Sequence, residues 1–488
     1  MNKEVFCMAI LKNFINGKFV DAQAEQWQDL PNPANGERMA QVPLSQAQDV
    51  DKAVAAASAA FENWARVPAM ERARYLFRFR DLLEQNKAEL AELVTRENGK
   101  NLDDAKGEVR RGIEVVEFAC GIPTLMMGRV SADVSRGIDQ ELIRYPLGVV
   151  AAITPFNFPF MVPLWSLPIA IAAGNTFVLK PSERTPQSSN RLAELLLETG
   201  LPAGVVNIVH GAKEVVDRVL EHPDIKAVSF VGSAPVAKYV YQTAAAHGKR
   251  VQALAGAKNY HIVLKDAPLE KVISLLMSSA FGNAGERCLA GTVVLVEDAV
   301  ADNFVDALRK AAEELPIGDG MVPGNELGPV IREDHRQKVI GYIDTGVKEG
   351  AQLLLDGRKL NVSLPTGYFL GPTLFDHVTP EMTIVREEIF GPVLSIMRVS
   401  DLKEALSIAN RSRYGNSATL YTNSGPAART FREQIQAGML GINIGVPAPM
   451  AFFPFGGWKG SFYGDLHATG QEGVDFYTQE KVVITRWL

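Results

Sequence analysis

At 488 residues the chain exceeds what one hydrophobic core usually serves, so two or three domains are expected. Its 47% hydrophobic and 22% charged content is that of an ordinary globular protein, and a net charge of −6 with no basic run interleaved with aromatics argues against nucleic acid as a partner. Three widely separated cysteines, Cys7, Cys120 and Cys288, make no disulfide framework and fit a reducing, cytoplasmic setting.

Near the amino terminus the apolar run from Phe6 to Leu11 is too short for a leader, follows Glu4, and lacks a small-residue cleavage site. From residue 49 to about 127 the spacing is helical: Val50, Val54, Ala57, Phe61 and Trp64 share one face, as do Tyr75, Phe79, Leu82, Leu83, Leu90 and Leu93. A further helix is predicted from Glu108 to Cys120, with Ile113, Val116 and Ala119 as its apolar stripe and Cys120 in the core. Arg110 and Arg111 fall by default on its solvated face. The most apolar stretch, Phe156 to Ala173, is broken by Pro159, Pro163 and Pro168, so no membrane span is predicted.

From residue 141 the pattern changes to short β runs alternating with helices. Predicted strands at Val149–Ile153, Thr176–Leu179, Val205–Val209, Ala227–Val231 and Arg250–Ala255 are joined by four helical stretches. That alternation argues for a doubly wound parallel sheet of Rossmann type, with ligands outside the carboxyl ends of the strands. Those ends carry Thr154-Pro155-Phe156-Asn157-Phe158-Pro159, Lys180-Pro181-Ser182-Glu183-Arg184 and Gly232-Ser233. A helix opening at Ser233 offers free N–H groups to a phosphate. A lysine and a glutamate beside the sheet suit ribose hydroxyls, the carboxylate disfavouring an extra 2′-phosphate. The G-x-G-x-x-G fingerprint is absent.

A second α/β unit is predicted from His261, with strands near Ile262–Leu264, Thr292–Val296, Leu353–Leu355, Pro392–Ile396 and Ala418–Tyr421. Within it, Gly282-Asn283-Ala284-Gly285-Glu286-Arg287-Cys288-Leu289-Ala290-Gly291 sets one cysteine among small residues beside an arginine. Small neighbours admit a substrate to the sulfur, and a cationic neighbour favours the thiolate, the nucleophilic form. Alone, the segment reads more readily as an inert buried cysteine. The segment Val130–Tyr145 and the charged, β-like tail Val474–Trp487 form a candidate arm for pairing with another subunit.

Six signatures in order, Thr154–Pro159, Lys180–Glu183, Phe230–Ser233, Gly285–Cys288, Glu388–Val393 and Pro454–Lys459, resemble the aldehyde dehydrogenase superfamily from Phe14 to the end. The resemblance implies an NAD-binding domain (1–129 and 147–257), a catalytic domain (258–470) and a β oligomerisation arm (130–146 and 471–488) in a homo-oligomer, a dimer of dimers. It implies Cys288 as the nucleophile, with Asn157 and the Cys288 N–H as oxyanion donors. Lys180, Glu183 and the adjacent Arg184 would bind the adenosine ribose side of NAD, Ser233 the pyrophosphate and Glu388 the nicotinamide ribose. Thr154, Phe156 and Ala255 would line the cofactor.

One departure is informative. Hydrolytic members carry a water-activating glutamate in a Glu-Leu-Gly-Gly-Lys motif, where this chain reads Leu254-Ala255-Gly256-Ala257-Lys258. Leucine takes no proton, so a thiol, coenzyme A, is the expected acyl acceptor. Gly256–Asn259, Gly285–Cys288, Val446–Phe455 and Asp475–Thr478 resemble the CoA-acylating methylmalonate-semialdehyde dehydrogenases, although Tyr260 stands where that group more often has histidine. A semialdehyde carrying a carboxylate needs cationic donors, and Arg287 and Arg111 are the candidates. No metal is expected, since the seven histidines are scattered. The alternatives are a hydrolytic dehydrogenase, which needs another base such as Glu286, and a non-catalytic relative of the fold.

Overall fold

The computed structural model describes residues 10–359 and 366–488, so Cys7 lies outside the described residues. Val149–Ile153 and Thr176–Lys180 are buried at every position, as parallel strands covered on both faces require. They sit at the centre of an eight-stranded sheet. Its five parallel strands run in the order Val206–Ile208, Thr176–Lys180, Val149–Ile153, Ile225–Val231, Arg250–Leu254. The strand order reverses beside Val149–Ile153, and the crevice at such a switch point is where this topology takes ligands. Antiparallel strands extend both edges: Asn13–Ile15 with Lys18–Val20 on one side, Phe462–Gly464 on the other.

The strands before residue 46 escape the sequence reading: Asn13–Ile15 and Lys18–Val20 are too brief to show a period of two, and Ala24–Pro31 and Arg38–Ser45 pair with register shifts and lack a clean alternation. The helix predicted from Glu108 begins earlier, at Leu102. Asn101 caps it by accepting the Asp104 N–H at 2.8 Å, and the added turns bring Asp103 and Asp104 to the site. Helix Met161–Ala172 is apolar all round and buried from Val162 onward, so it is a core element; it begins just after the Thr154–Pro159 loop.

The second sheet has seven strands. Gly291–Glu297 lies at its middle, and Asn259–Val263 beside it pairs in parallel with both Gly291–Glu297 and Ser417–Tyr421. Thr373–Asp376 and Met439–Ile442 join the five expected strands. A separate three-stranded sheet pairs Thr478–Arg486 with Ile138–Pro146 and then Arg129–Ser135, whose seven residues are all exposed. The tail read as β-like from Val474 instead starts as helix Gly470–Phe476 and becomes a strand at Thr478. Among the described residues no helix is long and apolar enough to cross a membrane.

Candidate active site

The carboxyl end of the first sheet meets the amino end of the second, and Cys288 lies at that meeting. The approach to it is a left-handed turn. Asn283 and Ala284 have φ of 51° and 52°, and Gly285 follows at 73° with a Cβ position only 2.3 Å from the Gly391 carbonyl, which demands glycine. Asp104 fixes the start of this turn by accepting the Asn283 N–H at 3.0 Å. Two amides then hold the nucleophile's own carbonyl. Asn259 Nδ2 donates to Cys288 O at 2.9 Å and to Ala290 O at 2.8 Å, and Asn416 Nδ2 donates to Cys288 O at 2.9 Å. Asn259 opens one strand and Asn416 immediately precedes its neighbour, so three adjacent strand starts converge on one residue. Burial first, then the Glu388 carboxylate, push the Cys288 thiol up to about 12, against the opposing pull of backbone hydrogen bonds and Arg287.

Cys288 lines two cavities. One, of about 450 Å³, follows the carboxyl ends of the first sheet and is walled by Thr154, Phe156, Asn157, Lys180, Glu183, Arg184, Ser233, Ala255 and Glu388, so all of the expected cofactor residues share it. Lys180 Nζ donates to Glu183 Oε2 at 3.0 Å. Burial works to raise the Glu183 carboxyl, but Lys180 and backbone N–H groups outweigh it and hold the group below the usual carboxylate range. Ser233 begins helix Ala234–Ala246 and makes no side-chain cap, leaving its hydroxyl and the first-turn N–H groups for an anion. Glu388 Oε1 accepts the Ala257 N–H at 2.9 Å, and burial pushes its carboxyl up to about 7. Its Oε2 lies 2.6 Å from where a Cβ on Gly256 would stand, which explains that glycine. Phe156 packs edge-on against Phe390, their centroids 5.9 Å apart, with Arg184 5.4 Å above its ring. A basic residue, an acceptor carboxylate, an uncapped helix start and aromatic walls fit a dinucleotide.

The other cavity, of about 320 Å³, is walled by Asp104, Glu108, Arg111, Phe158, Trp165, Arg287, Val446 and Phe455 among others. Arg111 is therefore at this cavity and not simply on a solvated face. It pairs with Glu114 at 3.2 Å and reaches Met450 Sδ at 3.1 Å. Arg110, in contrast, is half exposed and pairs with Glu84. Arg287 bonds Asp104 Oδ1 at 2.6 Å and the Ser278 carbonyl at 3.2 Å, leaving its buried Nε without a partner.

Leu254 is 4% exposed, in the apolar cluster against which Cys288 packs. The Glu286 carboxyl turns towards Ile331, accepting its N–H at 3.2 Å, and lies 3.4 Å from His335 Nε2. Burial pushes Glu286 up to about 8 and His335 down to about 4, leaving an uncharged acid beside an uncharged imidazole. Cys120 is buried in the first core, as its stripe predicts.

Sequence reasoning misses Lys100, Asp104, Glu108, Asn416 and His335. Asn259 falls within a quoted motif, but no role followed from it. Local sequence offered little signal, because these residues stand in polar stretches such as residues 102–111, where nothing sets Glu108 apart from its charged neighbours.

Comparison with known proteins agrees with this geometry. The model of the aldehyde dehydrogenase family matches residues 19–483. Malonate-semialdehyde dehydrogenase 2 of Geobacillus thermodenitrificans is 60% identical over 476 residues, covering 98% of this chain and 99% of that protein. Malonate-semialdehyde dehydrogenase of Halalkalibacterium halodurans is 59% identical over 477 residues, covering 98% of each. Among solved structures, the methylmalonate-semialdehyde dehydrogenase of Oceanimonas doudoroffii has a TM-score of 0.97 at 48% identity, covering 99% of both chains. A Sinorhizobium meliloti structure complexed with NAD also has a TM-score of 0.97, at 45% identity, covering 99% of this chain and 98% of that one. With the fold, the cysteine between two cavities and the full-length matches all agreeing, the chain belongs to the aldehyde dehydrogenase family.

Proposed function

We propose that this chain is a cytoplasmic, NAD-dependent, CoA-acylating dehydrogenase of malonate or methylmalonate semialdehyde. The overall change is semialdehyde plus NAD plus coenzyme A giving acetyl- or propionyl-CoA, CO2 and NADH. One observation carries the reading: Cys288 lines both a cavity suited to a dinucleotide and a cavity bearing Arg111 and Arg287. The similar malonate-semialdehyde dehydrogenases support it.

Cys288 loses its thiol proton to solvent water as its sulfur adds to the aldehyde carbon. Asn157 Nδ2 and the Cys288 N–H would receive the developing oxyanion, each such donor typically contributing about 2.7–4 kcal/mol. NAD, held by Lys180, Glu183, Ser233 and Glu388, supplies the two-electron acceptor. Arg111 would grip the substrate carboxylate, with Arg287, paired with Asp104, beside it in the same cavity. Once the carbon is a thioester on Cys288, the C–C bond to the carboxylate breaks. Its electron pair enters the thioester carbonyl, again facing the oxyanion donors, and the resulting enolate takes a proton from water at carbon to leave the acetyl or propionyl thioester. No base for water stands at Leu254, and Glu286 is turned to Ile331 and His335, so a thiol is the better acceptor for the acyl group.

The 130–146 and 471–488 segments would form the oligomerisation arm of a dimer of dimers, with 1–129 and 147–257 as cofactor domain and 258–470 as catalytic domain. Exposed Val130, Val134, Val482, Ile484 and Trp487 on the arm support that role.

The test is NADH formation from each semialdehyde with and without coenzyme A, with products weighed by mass spectrometry. Acyl-CoA and CO2, formed only when coenzyme A is present, are the expected result. Free acid released at full rate without coenzyme A would make the enzyme hydrolytic.

A further inference from the structure

We propose that the buried ion pair Lys100–Glu108 positions Asn157 for catalysis, gripping the loop that carries it at Asn157 itself and at its carboxyl end. The inference rests on the reading of Asn157 as an oxyanion donor. Both side chains are 0% exposed, and Lys100 Nζ lies 2.6 Å from Glu108 Oε2. The same ammonium donates to the Asn157 carbonyl at 2.7 Å and stands 4.1 Å from the Phe158 ring centroid. The other oxygen, Glu108 Oε1, accepts the N–H of Phe160 at 2.9 Å and of Met161 at 3.1 Å. Helix Met161–Ala172 has no side-chain cap of its own, so Glu108 takes that part from a different helix.

The pair thus holds the second half of the loop, from Asn157 to the start of the next helix. Asn157 gives its main-chain oxygen to Lys100 and keeps its side-chain amide for the Cys288 side. A wholly buried ion pair is seldom more stabilising than apolar side chains of equal volume. What this one adds is directional bonds to the backbone of a single loop. Misplacing a reacting group by about 1 Å can cost about a hundredfold in rate, so a fixed loop has kinetic value.

Lys100 and Glu108 touch neither substrate carbonyl nor cofactor in this scheme. They act through Asn157, and non-additivity is the signature of that arrangement. The experiment is single-turnover NADH formation by the volume-matched variant Lys100→Met/Glu108→Gln, by Asn157→Ala, and by the combination, each also assayed for NAD affinity and thermal unfolding. Asn157→Ala is expected to lose about 10²–10³-fold in acylation rate. The ion-pair variant is expected to lose at least about tenfold with NAD affinity retained, and to add less than about twofold on top of Asn157→Ala.

Losses that multiply in the combined variant, or wild-type acylation in the ion-pair variant, overturn the proposal. A silent Asn157→Ala overturns it differently: the oxyanion reading itself then fails, and this is seen without touching the ion pair. Should the double substitution prevent folding, Glu108→Gln alone enters the same cycle. Its amide oxygen still accepts from Phe160 and Met161 while its hold on Lys100 weakens. Coincident losses uphold the proposal and multiplied losses reject it.

Discussion

The side-chain amide of Asn157 donates to the carbonyl of Glu286 across 2.9 Å, joining the loop after the first sheet to the peptide two residues before Cys288. The proposed oxyanion donor therefore has a protein partner already, and an oxyanion must take it over. An aspartate at this position keeps the shape but replaces the donor with a repelling carboxylate. Asn157→Asp should lose about 10²–10³-fold in single-turnover acylation, while NAD affinity stays near that of the parent. A rate within twofold of wild type would remove Asn157 from the chemistry.

Asn416 tests the clamp on the nucleophile. It is 4% exposed, and its Nδ2 meets the Cys288 carbonyl at 2.9 Å. In Asn416→Asp a carboxylate oxygen would face that carbonyl, setting two buried acceptors against each other and leaving Asn259 to hold it. The expected cost is about 1–3 kcal/mol of stability, read from chemical denaturation, together with slower acylation. Unchanged stability would show that Asn259 alone suffices.

Arg111 and Arg287 line one cavity but should respond differently to removal. Arg111 is held by Glu114 and a methionine sulfur, and is free to meet a carboxylate. Arg111→Leu should raise KM for malonate semialdehyde by about 10- to 100-fold, the worth of a hydrogen bond to a charged group, and leave propanal nearly unaffected. Arg287→Leu strips Asp104 of its partner beside the turn leading to Cys288, so both aldehydes should suffer. Equal losses on both aldehydes in Arg111→Leu would exclude it from carboxylate binding.

Glu286 sets a pH dependence of stability. Its carboxyl moves from 4.5 to about 8 on burial, so the folded protein keeps a proton that the unfolded chain releases. A folded pKa raised in this way contributes stability that is full below about 4.5 and declines as pH rises through about 8. Glutamine mimics the protonated acid. Glu286→Gln should therefore flatten the fall in denaturation midpoint between pH 5 and pH 8.5. A parallel fall in both proteins would assign the slope to other groups.

Much of this was legible because the strands of both sheets are short, apolar and punctuated by turns. Val149–Ile153 and Thr176–Lys180 declare themselves by being buried on both faces. The Cys288 segment was legible because small residues around a cysteine are chemically suggestive. The ion pair was not. Lys100 lies eight residues from Glu108 but meets Asn157, 57 positions away, and no local pattern encodes that contact. The same holds for Asn416, 128 positions from the carbonyl it holds. Arg287 was expected to be a free cation beside the thiol, whereas Asp104 from the helix Leu102–Cys120 occupies it. Local sequence shows which groups are present; partners brought by the fold decide what remains available.

Because Cys288 faces two cavities, nothing that reaches its sulfur from one side has to displace what waits on the other. On the proposed reading, an acyl group parked on the sulfur blocks only its own doorway. The spent nucleotide can leave by the opposite one, and an incoming thiol can follow the vacated route. Traffic through the enzyme then runs in a loop instead of backing out along one corridor.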